Sequence, residues 1–147
     1  MNILLLAQFK PEPRRFELSL SYAEGLPHQC PPEDAVDGPL EAVYRLVANQ
    51  TPTPQDFASK AALGDTCPLD TDECNWSSCS LSKRAKSLLK YKRLKVEKPF
   101  IVTLVIPIGV GRHKLGDSKR GHLDFWRYSG HCLTTFVQKV EGANDDG

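Results

Sequence analysis

The sequence predicts a single α+β domain built on a mainly antiparallel sheet with two or three short helices. Three observations lead to this class: several short segments are rich in apolar and β-branched residues, two segments predict short helices, and no internal repeat is apparent. The 147 residues, 40% hydrophobic and 25% charged, are ordinary for one domain with its own core. We expect an accessory segment at residues 1–39, a main body at 40–141 and a disordered tail at 142–147.

The first part of the chain predicts two strands separated by a proline-rich segment. Residues 15–22 alternate apolar and polar side chains, which is the period of a strand with one buried face. Residues 24–39 are interrupted by glycines and prolines and predict a loop or linker. The β-branched and aromatic content of residues 41–48 favours a second strand.

Two segments predict helices. Residues 54–63 follow Thr53, a residue type that caps helix N-termini, and they end before Gly64, which suits a helix stop. Residues 81–91 place apolar side chains at helical spacing, with basic side chains on the opposite face. These apolar residues are Leu81, Ala85, Leu88 and Leu89.

The second half of the chain supplies the remaining strands. Residues 100–108 form a nearly unbroken apolar run, which makes them the candidate for a central buried strand. A serine-rich segment at 76–81 predicts a short strand before the second helix. Residues 122–128 and 131–137 predict two closing strands, and the glycines of residues 109–116 predict a mobile loop before them.

Charge, hydropathy and cysteine content bear on location and partners. The 19 Lys and Arg residues against 18 Asp and Glu give a net charge of +1, too balanced for a protein whose whole surface binds nucleic acid. No apolar run reaches the roughly 18 residues of a membrane-spanning helix, and residues 1–9 lack the pattern of a signal peptide. We therefore expect a cytoplasmic protein without a membrane partner. The five cysteines favour free thiols over a disulfide framework, and since none forms a C-x2-C pair we expect no metal site.

The segment at residues 83–98 carries eight basic side chains and one acidic side chain. Such a run can follow the phosphates of a nucleic acid. The candidate contacts are Lys83, Arg84, Lys86 and Lys90. A charge run is also typical of a solvated helix face. We favour this alternative because the near-neutral chain supplies no wider positive field and Tyr91 is the only aromatic residue of the segment. A solvated face predicts that replacing Lys83, Lys86 and Lys90 with glutamine leaves function unchanged.

The order of these elements resembles the ADP-ribosyltransferase superfamily. A strand with an interior arginine, Arg45, precedes a helix, the serines of residues 76–82, the basic helix and the apolar strand at 100–108. The resemblance implies an NAD-binding protein, a small toxin or effector of a bacterium or phage. Arg45 would hold the pyrophosphate of NAD, and Ser78 or Ser80 would position its nicotinamide ribose. We therefore expect Arg45 and Ser80 to lie within one cleft.

The same residues also have simpler interpretations. An arginine within a strand can end in a salt bridge at the sheet edge, and serines that precede a helix most often cap it.

Residues 122–128 are the densest group of candidate functional side chains. Strand alternation places His122, Asp124, Trp126 and Tyr128 on one face. His122 and Asp124 are the candidate catalytic residues, as general base or electrostatic partner, because the late-strand glutamate of many superfamily members has no clear match. In the alternative interpretation, Trp126 packs in the core and the two polar residues are hydrogen-bonded at its rim. If the aromatic face is instead exposed, it predicts a non-enzymatic protein-binding module of a toxin–antitoxin or defence system.

Overall fold

Six antiparallel strands form one sheet in the computed structural model, which describes residues 21–116 and 119–144. The order across the sheet is β4-β5-β2-β1-β3-β6. The strands are β1 Leu40–Val47, β2 Cys79–Ser82, β3 Phe100–Ile106, β4 Gly111–Leu115, β5 His122–Arg127 and β6 Val137–Gly142. The short helices are α1 Glu73–Trp76, α2 Ala85–Leu89 and α3 Lys92–Glu97, with 3-10 turns at Pro54–Phe57 and Leu133–Phe136. The predicted α+β class with a mainly antiparallel sheet is confirmed.

The two faces of the sheet are covered by different layers. One face, called here the core face, carries the main apolar cluster and is covered by the two 3-10 turns through Phe57 and Leu133. The other, called the helix face, carries Leu46 and Ile101 and is covered by α2 and α3. Strand β3 supplies residues to both clusters, which explains why its sequence is apolar except at Thr103. The predicted buried strand is therefore confirmed, with its end at Ile106, but its central position is wrong because it lies next to the edge strand β6.

The first predicted helix is only a single 3-10 turn, Pro54–Phe57. It begins as predicted, because the Asp56 carboxylate accepts a hydrogen bond from the backbone N–H of Thr53 at 2.7 Å. It ends after Phe57, because the backbone of Ala58 is extended, with φ −73° and ψ 149°. The Arg45 side chain binds the carbonyl oxygens of Asp56 and Ala58 and so joins this turn to β1.

The second predicted helix is divided between a strand and two helices. Leu81 belongs to β2 and packs in the main cluster, whereas Ala85, Leu88 and Leu89 lie in α2 and pack on the helix face. The chain then bends near Tyr91 and continues as α3. The basic segment therefore has an elbow in its middle.

Strand β4 lies where the sequence predicts a mobile glycine loop. As an edge strand of the sheet it lacks the apolar alternation of a core strand. A Cβ atom at Gly111 would lie 2.4 Å from the main-chain oxygen of Trp126, so this glycine permits the close approach of β4 to β5. The prediction of a loop at Gly111 is therefore wrong, because this residue begins a strand.

The last strand begins later than predicted. The segment expected as a strand forms the 3-10 turn Leu133–Phe136, and β6 then pairs with β3. The backbone N–H of Ala143 donates to the Pro99 carbonyl oxygen at 2.7 Å, and Ala143 is buried. The first residues of the predicted disordered tail therefore belong to the fold, while residues 145–147 lie outside the described residues.

Residues 21–39, called here the N-terminal arm, pack along the sheet. Val36 pairs with His113 of β4, and Tyr22 pairs with Tyr128 in isolated bridges. The predicted strand at residues 15–22 lies outside the described residues except for its last two positions.

A disulfide between Cys30 and Cys74 joins the N-terminal arm to α1. The prediction of free thiols is therefore wrong for these two cysteines, although Cys67, Cys79 and Cys132 are free. The pairing spans 44 positions of sequence, so it depends on the fold and cannot be recognised from cysteine spacing.

Candidate functional site

The guanidinium group of Arg45 is held by main-chain carbonyl oxygens. Nε donates to the carbonyl oxygen of Asp56 at 2.8 Å, Nη1 to that of Ser80 at 2.8 Å, and Nη2 to that of Ala58 at 3.5 Å. The N–H groups of Arg45 that would bind a pyrophosphate therefore already donate to carbonyl oxygens of the protein. The alternative of a salt bridge at the sheet edge is wrong, because these three partners are carbonyl oxygens and β1 lies between β2 and β3.

Arg45 and Ser80 carry their side chains on opposite faces of the sheet. Arg45 alternates with Leu46 of the helix face and bonds the 3-10 turn that covers the core face. Ser80 lies between two core-face residues of β2 and is paired with Asp124. Because successive residues of a strand point to opposite faces, the two side chains do not meet. The expectation of one cleft that contains both is wrong.

Burial shifts the pKa of two titratable groups near Arg45, Cys79 and Lys98. Burial raises the pKa of the Cys79 thiol, which opposes the thiolate form that a nucleophile or a metal ligand requires. Burial also lowers the pKa of the half-buried Lys98 ammonium, and the nearby charges of Arg45 and Lys60 act in the same direction. The three carbonyl contacts of Arg45 themselves fit a structural role between β1, β2 and the first 3-10 turn.

A chain of polar side chains crosses the helix face of β5. The Oδ1 atom of the buried Asp124 lies 2.7 Å from Oγ of Ser78 and 3.4 Å from Nε2 of the partly exposed His122. Ser78 also lies 2.7 Å from the carbonyl oxygen of Asn75, so its hydroxyl is engaged inside the protein rather than turned to a ribose. Asp124 can orient the imidazole of His122 for proton transfer. The catalytic role of His122 and Asp124 stays a prediction.

The aromatic residues of β5 and its end are buried. Trp126 is 1% exposed and donates from Nε1 to the Cys74 carbonyl oxygen at 3.0 Å. Tyr128 is 5% exposed, and its hydroxyl donates to Asp37 Oδ2 at 3.1 Å. The alternative of an exposed protein interface around Trp126 is therefore wrong. The arrangement matches the interpretation in which Trp126 packs in the core and the polar residues lie at its rim.

The structure places a second basic segment against the first. A Cβ atom at Gly121 would lie 3.2 Å from Cγ of Arg84 and 3.3 Å from Cβ of Lys83. Arg84 Nη1 also donates to the Lys119 carbonyl oxygen at 2.7 Å. Residues 119–121 therefore lie beside residues 83 and 84. We call the combined feature the basic surface: Lys83, Arg84, Lys86, Lys90, Tyr91, Lys92, Arg93, Lys119 and Arg120.

An open groove lies on the basic surface at the elbow between α2 and α3. Its lining residues are Lys90, Tyr91, Lys92, Arg93, Leu94 and Glu97. Within the part of the chain that the structure describes, the cations of residues 83, 86, 90, 92 and 93 form no ion pair with a carboxylate. These cations are available to an anionic ligand.

Across residues 21–116 and 119–144, no three side chains of His, Cys, Asp or Glu lie close enough together to hold a metal ion. In the same ranges, no helix combines the length and the apolar character needed to cross a bilayer.

Comparisons with protein-family models, with curated proteins and with solved structures return no match to this chain. The resemblance to ADP-ribosyltransferases, and NAD as a cofactor, therefore stay predictions from the sequence.

Proposed function

We propose that this protein binds nucleic acid through the basic surface. The observation that carries the proposal is the contact of residues 119–121 with residues 83 and 84, which combines two separate basic segments. Ammonium and guanidinium groups on one surface displace the counterions of a phosphate backbone, and this release drives binding. Five of the cations have no carboxylate partner among the described residues. A phosphate would therefore bind these five without breaking an existing ion pair.

The near-neutral net charge does not oppose this proposal, because the charges are segregated along the chain. Residues 24–75 hold ten carboxylates and two basic side chains, whereas residues 76–141 hold fourteen basic side chains and four carboxylates. Interactions between exposed charges are largely screened beyond about 10 Å at ordinary ionic strength, so the local field decides binding. The argument from whole-chain charge, which favours a solvated face, therefore loses its force.

The triple variant Lys83→Gln, Lys86→Gln and Lys90→Gln distinguishes the two interpretations. The proposal predicts weaker binding of a labelled 20-nucleotide strand by fluorescence anisotropy, with a salt dependence that is flatter by about two units of slope, because three phosphate contacts are lost. If the segment were only a solvated face, affinity and slope would both stay unchanged.

A matched control removes three cations elsewhere. The variant Lys60→Gln, Lys114→Gln and Lys139→Gln makes the same change in net charge, but these side chains lie outside the basic surface, and two of them pair with carboxylates. Its affinity should remain within about twofold of the original protein, because distant charges are screened. An equal loss in both variants would show that binding follows total charge and not the basic surface. Circular dichroism spectra of both variants verify the fold.

A further inference from the structure

Tyr91 gives the basic surface a flat aromatic face beside its cations. It lies at the elbow where α2 ends and α3 begins, and it is 44% exposed. Its hydroxyl oxygen accepts a hydrogen bond from Arg120 Nη1 at 3.4 Å, which limits the orientations of the ring. Cationic side chains precede and follow it in the groove. The groove thus combines a stacking face with phosphate-binding groups.

We propose that the basic surface binds single-stranded nucleic acid, with one unpaired base stacked on Tyr91. This inference rests on the nucleic-acid binding proposed above and adds the class of strand. Every base has a π face that can stack on an aromatic ring, so such a site accepts many sequences. In a duplex those faces are covered by neighbouring base pairs, and the ring would have no base to contact.

The form of α2 and α3 also favours a single strand. They have five and six residues, which span about 8–9 Å each at the α-helical rise. Ala85, Leu88, Leu89 and Leu94 hold them against the helix face of the sheet. Neither helix therefore projects as a recognition helix does when it enters a major groove. The open groove, formed by the elbow and α3, can instead receive an extended strand.

The test compares oligothymidine with an abasic strand of the same length, which keeps the phosphates but has no bases. Fluorescence anisotropy at one salt concentration should show tighter binding of oligothymidine than of the abasic strand. In Tyr91→Ala this preference should disappear, because affinity for oligothymidine falls about 5- to 150-fold while affinity for the abasic strand is kept. Tyr91→Phe keeps the ring and should retain most of the preference.

The possible outcomes distinguish failure of base stacking on Tyr91 from failure of nucleic-acid binding. Equal binding of both strands by the original protein, or a preference that survives in Tyr91→Ala, would overturn stacking on Tyr91 while nucleic-acid binding stands. Tighter binding of a 20-base-pair duplex than of oligothymidine would also overturn the single-strand inference. If neither strand nor duplex binds, nucleic-acid binding itself fails.

Discussion

Replacement of Arg45 with alanine is expected to lower the free energy of unfolding by about 2–4 kcal/mol. The guanidinium donates to three main-chain carbonyl oxygens, on Asp56, Ala58 and Ser80, and alanine would leave all three without this donor. It would also release the first 3-10 turn from β1. Urea unfolding followed by circular dichroism measures the loss.

Two matched variants make the Arg45 prediction specific. Arg45→Lys should fall between the original protein and Arg45→Ala, because one ammonium group cannot reproduce the forked guanidinium geometry. Arg93→Ala removes an exposed arginine and should change the unfolding free energy by less than about 0.5 kcal/mol. The prediction would be contradicted if Arg45→Ala kept the stability of the original protein but no longer bound NAD when binding is measured by calorimetry. That result would restore Arg45 as the pyrophosphate ligand that the resemblance implies.

Removal of the Cys30–Cys74 disulfide is expected to cost about 4 kcal/mol of stability. The loop spans 44 positions, and a cross-link of that length restricts the unfolded chain by about this amount in the chain-entropy account. The double variant Cys30→Ser and Cys74→Ser should therefore unfold at a lower urea concentration. A disulfide is also typical of an oxidising environment, so it does not favour the cytoplasmic location, which stays a prediction from the sequence.

A reductant provides the control for the disulfide prediction. Dithiothreitol should lower the stability of the original protein to near that of the double variant, and it should leave the double variant unchanged. Five reactive thiols in the denatured, unreduced protein would contradict the disulfide directly, because three are expected.

Local sequence patterns predict the sheet better than the helices. Strand β3 is recognisable because it supplies both apolar clusters and is therefore apolar at six of its seven positions, and β5 is recognisable because four of its six residues are buried. The first helix is overestimated because its local cap and stop signals do not show that the backbone becomes extended at Ala58, directly after Phe57 packs in the main cluster. Strand β4 is missed because it is short, basic and at the sheet edge.

The candidate site depends even more on contacts between distant segments. The sequence identifies the basic run that starts at Lys83 and also identifies Tyr91, but it gives no sign that residues 119–121 return to them. It also does not show that Arg45 and Ser80 project from opposite faces, because their separate strands must first be paired in register. The adjacent basic pair Lys119 and Arg120 is the one local signal that could have extended the basic surface.

The most direct test of the account is the salt dependence of binding by the unmodified protein. The affinity for a labelled 20-nucleotide single strand is measured by anisotropy between about 50 and 200 mM salt. Engagement of at least four cations of the basic surface predicts a slope of log K against log salt of about −3 or steeper, since each phosphate contact on a single strand contributes about −0.7. A slope near zero, or no binding at the lowest salt concentration, would contradict nucleic-acid binding by this protein.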